Sequence, residues 1–176
     1  MLREASISAE GPTLEKERRA GAQLFAYRVA PDDVPRLRAL CLLAKSAGMG
    51  LNVDAEEADR LGLSLDVINA VMAEPALAGW DGFGIVVQAY GPRAAGVIDA
   101  LYEMAQTHNR RIMVRLVKGA YWDTEIKLAQ VEGLPGFPVL VTKPHTDMNY
   151  ICCAQKLLAM SDRIYPQFAT HNAHTI

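Results

Sequence analysis

The feature that most restricts this chain is a rhythm of apolar runs separated by helical patterns. Strand-like runs begin near residues 51, 84, 112, 138 and 164, at intervals of 33, 28, 26 and 26 residues. Each interval holds one helix and two short turns, the length of a βαβ crossover. Such a chain folds as a parallel sheet packed with helices. The runs are almost continuously apolar, as expected of strands covered on both faces.

The pattern predicts individual elements. A helix over Pro35–Ser46 places Leu37, Leu40, Cys41 and Ala44 on one face and stops at Gly48 and Gly50. Leu51–Ala55 is a short strand with a carboxylate, Asp54, at its end. Ser64 caps a helix whose apolar face is Val67, Ile68, Val71 and Met72. Gly84–Tyr90 is a buried strand, and Gly91-Pro92 opens a helix carrying Val97, Ile98, Leu101, Tyr102 and Ala105. Ile112–Lys118 is the next strand. Asp123 caps the helix after it, which ends by Gly133–Gly136. Pro138–Lys143 reads as a strand. Tyr150, Ile151, Ala154, Leu157 and Leu158 form a helical stripe, with Cys152 and Cys153 as core, and Ile164–Thr170 is the last strand. Neither G-x-G-x-x-G nor a Walker A sequence follows any strand, which argues against a Rossmann or P-loop site. The expected class is therefore α/β: a (βα)8 TIM-type barrel of about 250 residues in typical form, here incomplete with about five βα units.

Bulk properties exclude several functions. The 176 residues suffice for one domain. A net charge of −2 gives no reason to expect nucleic acid as a partner. No apolar run approaches the roughly 18 to 20 residues of a spanning helix. The first 30 residues mix charges without an apolar core, unlike a secretory signal. Three cysteines, two of them adjacent, form no disulfide framework and point to a reducing, cytoplasmic setting.

Every predicted strand ends in polar side chains: Asp54, Gln88, Arg115 with Lys118, Lys143, and Thr170 with His171. In α/β barrels chemistry gathers at these carboxyl ends. Asp54 reads equally well as a helix cap or a site residue, while Glu56, Glu57, Asp59 and Arg60 read as surface helix. Gln88 also reads as satisfying a neighbouring backbone group. Arg115, inside an apolar strand, must be paired or face a polar ligand. A rim salt bridge would account for Lys118. Tyr121 and Trp122 alone suggest core, but after Arg115 and Gly119 they suggest a wall for a planar ring. His171 and His174 form H-x-x-H, which with Asp54 defines an alternative, a metal-dependent barrel hydrolase or aldolase. No third ligand with fitting spacing follows, and His145 and Asp147, which could supply one, belong to a different loop, so an anion or cofactor contact is preferred and no metal is expected.

Four of these motifs occur together: Leu51-Asn-Val-Asp-Ala-Glu-Glu-Ala-Asp-Arg60, Val87-Gln-Ala-Tyr90, Arg115–Asp123, and Tyr165-Pro-Gln-Phe-Ala-Thr-His-Asn-Ala-His-Thr175. In this order they resemble the proline dehydrogenase domain of the bifunctional proline utilisation A flavoproteins. The resemblance runs from about Val34 to the C-terminus, so residues 34–176 are expected to be a partial proline dehydrogenase barrel. Residues 1–33 form a segment without a clear match. It implies a (βα)8 barrel holding FAD noncovalently at the carboxyl ends of its strands. It also implies oxidation of L-proline to Δ1-pyrroline-5-carboxylate by hydride transfer to flavin N5, with a quinone as later electron acceptor. By resemblance, Arg115 lies near N5 and Gln88 hydrogen-bonds the flavin ring. Val117, Lys118, Gly119, Ala120 and Trp122 run along the flavin, and Thr170 and His171 contact FAD. Tyr121 stands beside the substrate ring, and Asp54 matches the active-site aspartate.

The chain also departs from the family pattern. A lysine in an I-K-L-S-A-L type first strand has no counterpart in residues 1–33, where Ser6-Ile7-Ser8-Ala9 is a faint echo without it. No seventh or eighth strand follows, nor the final helix whose paired arginines bind the proline carboxylate. Thr142 stands where the family usually has an arginine. The expectation is a fragment whose isolated chain neither closes a barrel nor turns over proline. The competing reading is an inactive remnant that associates with other chains. No membrane contact is expected through this segment.

Overall fold

The computed structural model describes residues 29–173. Four strands and five helices alternate: α1 (Asp33–Ser46), β1 (Leu51–Val53), α2 (Leu61–Met72), β2 (Phe83–Gln88), α3 (Ala94–Thr107), β3 (Ile112–Val117), α4 (Trp122–Val131), α5 (Lys143–Ala159) and β4 (Ile164–Phe168). The strands form one parallel sheet in the order β1-β2-β3-β4. Each new strand is added on the same side, so no reversal of strand order creates a switch-point crevice of the doubly wound kind. This is the winding of a barrel wall. The described residues are an α/β structure, an open arc of a (βα)8 barrel.

Burial follows strand alternation. In β3, Ile112, Val114 and Leu116 are fully buried, while Met113, Arg115 and Val117 are only partly covered. The buried set belongs to a core shared with Phe83, Ile85 and Val87 of β2 and Ile164 of β4. Helices α2, α3 and α5 add Ile68, Val71, Met72, Ile98, Leu101, Tyr150, Cys153 and Leu157. Burying each large apolar side chain stabilises the arc by about 1.5–3 kcal/mol. The opposite face lies away from this helical layer. Its cross-strand row of Val86, Arg115 and Gln167 is set by the pairings Val86↔Arg115 and Arg115↔Gln167.

The structure corrects several expectations. Pro138–Lys143 is not a strand: residues 138–142 take an irregular path and Lys143 already begins α5. Residues Ile112–Leu116 of β3 pair with β4, leaving no free ladder there, and Pro138 has no N–H to donate. The segment makes one backbone bond to the sheet's rim, from Leu140 N–H to the Tyr90 carbonyl at 2.7 Å. Ser64 does not cap α2, which starts three residues earlier after a 3-10 turn at Ala58–Arg60. Glu56 and Glu57 are thus loop, while Asp59 and Arg60 lie in that single 3-10 turn rather than in an α-helix. Asp123 lies within the first turn of α4, whose N-cap is Tyr121. Cys153 is buried but Cys152 is exposed, because neighbours on a helix point about 100° apart. Leu40, Ile151 and Leu158 are 55%, 49% and 56% exposed, off the core faces expected for them.

Candidate functional site

A cleft of about 800 Å³ opens at the carboxyl ends of the strands. Asp54, Gln88, Arg115, Val117, Lys118, Gly119, Ala120, Tyr121, Thr170 and His171 all line it. Strand direction explains the convergence. Parallel strands end on one side, so residues as far apart in sequence as Asp54 and His171, 117 positions, meet at one rim. Trp122 is not in the lining; its indole N–H donates to the Leu140 carbonyl at 3.0 Å. His174 lies outside the described residues, as do residues 1–28 of the expected N-terminal segment.

Arg115 reaches across β2. Its Nη2 lies 3.4 Å from Asp54 Oδ1, and its Nε is buried without a hydrogen-bond partner. Asp54 follows directly after β1, whose last residue Val53 pairs with Ile85. Gln88 uses both ends of its amide: Nε2 donates to the Glu56 carbonyl at 2.9 Å and Oε1 accepts from Ala120 N–H at 3.0 Å. Tyr121 donates its hydroxyl to Glu56 Oε2 at 3.1 Å. That carboxylate, and then the other acids of the loop, pushes the Tyr121 phenol above its ordinary pKa. Tyr90, beneath the rim, is pushed up to about 12, chiefly by burial.

Two lysines share one acid on the far side of the cleft. Lys118 and Lys143 donate to the two oxygens of Asp147 at 2.6 and 2.7 Å. Lys118 first, then Lys143, holds the Asp147 carboxyl below the usual range. Lys118 also sits 5.9 Å above the Tyr150 ring. The rim salt bridge considered for Lys118 is therefore present, and it faces the cleft. Gly119 has φ +142°, and a Cβ built there would overlap the Tyr90 ring. The backbone can pass this point only without a side chain.

Sequence reasoning missed Glu56 and Glu125, and it weighed Asp147 only as a third metal ligand. Glu56 sits in a charged run that looks solvated. Glu125 occupies an ordinary first-turn position of α4 yet is 4% exposed. No local pattern separates these acids from surface charge. Among the described residues, no three His, Cys, Asp or Glu side chains gather as a metal-binding group.

The proline dehydrogenase family model matches residues 2–176, nearly the whole chain. The chain belongs to the proline dehydrogenase family. It is 58% identical over 149 residues to the bifunctional protein PutA of Salmonella typhimurium, covering 85% of this chain and 11% of that protein. A crystal structure of Bradyrhizobium japonicum proline utilization A superposes with a TM-score of 0.80 at 60% identity, covering 81% of this chain and 15% of the other. Proline utilization A from Bdellovibrio bacteriovorus superposes at 0.77 with 39% identity, over the same shares. The chain thus spans about 11–15% of the length of these relatives. No helix among the described residues is long and apolar enough to cross a membrane.

Proposed function

We propose that the cleft is the flavin side of a site that oxidises L-proline to Δ1-pyrroline-5-carboxylate. One observation carries this reading. Ten residues from four separate motifs, Asp54, Gln88, Arg115, Val117, Lys118, Gly119, Ala120, Tyr121, Thr170 and His171, converge on one cleft. Its lining holds three basic side chains, Arg115, Lys118 and Lys143; Arg115 pairs with Asp54, and the two lysines share one acid, Asp147.

These residues fit FAD. A dinucleotide carries a pyrophosphate, and the positive excess at Lys118 and Lys143 suits it. The volume lies within the roughly 300–1,000 Å³ of cofactor pockets. The unpartnered Nε of Arg115 leaves a donor for a ligand. When bound, FAD supplies a two-electron acceptor for a hydride. The chain's own groups do the rest. Arg115 places positive charge where negative charge would develop. Gly119 lets the backbone approach a ring closely. Gln88 holds the loops of Glu56 and Ala120 together at the rim. Tyr121, fixed by Glu56, offers an aromatic wall to a five-membered ring, and Asp54 orients Arg115. Proline loses a hydride from the carbon next to nitrogen and a proton from nitrogen. A quinone would serve as the later electron acceptor. The three cysteines are free, which fits a reducing compartment, and we place the protein in the cytoplasm.

Arg115 is the single arginine lining the cleft among the described residues, and it faces Asp54. Bidentate recognition of the substrate carboxylate therefore falls to residues outside this set. A second reading, a flavin-binding remnant without turnover, rests on the open inner face, where Tyr165 is 56% exposed. Flavin titration of the purified chain, followed by a proline-dependent dye assay, tests both. Fluorescence quenching by saturable binding is expected. Dye reduction with L-proline supports oxidation, and binding without it supports the remnant. A helical, folded sample that binds no flavin overturns both.

A further inference from the structure

We propose that Glu125 is a positioning residue that sets the substrate side of the cleft by fixing the segment between β1 and α2. The role given to that segment's side chains rests on the proline-oxidising reading. The fixing itself does not.

The segment from Asp54 to Glu57 has no regular secondary structure, yet it carries Asp54 into the cleft lining and Glu56 to the Tyr121 hydroxyl. Side chains from other elements hold it in place. Glu125 Oε1, on α4, accepts the Ala58 N–H at 2.5 Å. Arg93, at the start of α3, donates Nη2 to the Ala58 carbonyl at 2.7 Å. Ala58 is thus gripped through both its amide and its carbonyl by residues 67 and 35 positions away. Two residues earlier, Glu56 takes bonds from Gln88 and Tyr121. Tyr121 is also the N-cap of α4, so the helix that carries Glu125 delivers the partner of Glu56 as well.

A purely structural role does not account for an acid here. An acidic residue in a first turn complements the helix dipole, but Asp123 already does so while exposed. Glu125 is 4% exposed, and shielding a carboxylate from water is costly. Glu57 and Asp59 increase that cost by like-charge repulsion. Burial first, then these two acids, pushes the Glu125 carboxyl up, against the opposing pull of Ala58 N–H and Arg93. An apolar side chain would suit the packing of α4 better. What an apolar side chain lacks is the acceptor for Ala58.

Amide hydrogen exchange of the purified chain tests the proposal without any flavin, so a failure of the flavin reading leaves it intact. In Glu125→Leu, exchange across residues 55–60 is expected to accelerate at least tenfold, while β2 and β3 keep their protection. Glu125→Gln retains an oxygen acceptor and is expected to restore most of that protection. Should the leucine variant fail to fold, Glu125→Asp withdraws the acceptor by one methylene and is expected to loosen the same residues. Unchanged exchange at 55–60 overturns the proposal. So does equal acceleration in β2 and β3, which marks a general structural role, and so does failure of Gln to restore protection.

Discussion

Arg115 and Asp54 stand two strands apart and still meet, with Arg115 Nη2 3.4 Å from Asp54 Oδ1 above Val86 of the intervening strand. Neighbouring strands lie about 4.8 Å apart, so only a long side chain spans that distance. Asp54 is 71% exposed at its side chain, which keeps the pair weak. Asp54→Asn is therefore expected to change unfolding stability by less than about 1 kcal/mol. Arg115→Met is expected to weaken FAD binding about tenfold, equivalent to ~1.4 kcal/mol. Urea denaturation and flavin fluorescence quenching measure the two effects separately. A loss of stability in Asp54→Asn well beyond that bound would contradict a screened pair.

Gly119 is the most constrained backbone point of the rim. Its φ of +142° is unfavourable for any L side chain, and a Cβ would overlap the buried Tyr90 ring. Gly119→Ala is expected to destabilise the fold by about 1–3 kcal/mol. Thermal unfolding checks this, and Gly133→Ala serves as the comparison: it has φ +65° but nothing near its Cβ. A comparable cost at both positions would show that the Tyr90 contact adds nothing.

The Asp147 carboxyl is held below its unfolded pKa by Lys118 and then Lys143. A depressed carboxylate pKa contributes stability that is present above the unfolded value and lost as pH falls through the folded one. Wild type should therefore exceed Asp147→Asn in denaturation midpoint at pH 7. The difference should shrink as pH drops below about 4. A difference that persists unchanged to low pH would mean the lysines are not its source.

Cys152 faces solvent on α5 while Cys41 and Cys153 are buried. Burial pushes the Cys41 thiol up to about 11 and raises Cys153 as well. Thiolate is the reactive form, so iodoacetamide should add once to the folded chain, at Cys152, and three times in urea. Mass spectrometry of tryptic peptides distinguishes these outcomes.

Much of the wall was legible beforehand. The helical stripe of Val97, Ile98, Leu101 and Ala105 and the apolar run of Ile112–Val117 appear where periodicity placed them. Ten residues singled out by four motifs line one cleft. Helix starts were less legible, because α2 begins at Leu61 without a side-chain cap and Ser64 carries no signal that it lies inside. The segment at 138–142 has strand-like composition, but composition does not reveal that β4 occupies the edge it would need.

By itself the sequence determined the alternation of strands and helices and the residues at the strand ends. Both rest on short-range periodicity and turn chemistry, which act within a few residues. Only the tertiary structure decided the partners. Arg115 meets Asp54 across 61 positions, Lys118 meets Asp147 across 29, and Glu125 meets Ala58 across 67. Such meetings depend on strand register, on which sheet edges are already paired, and on how deeply a charge is buried, and no local stretch of chain encodes any of the three.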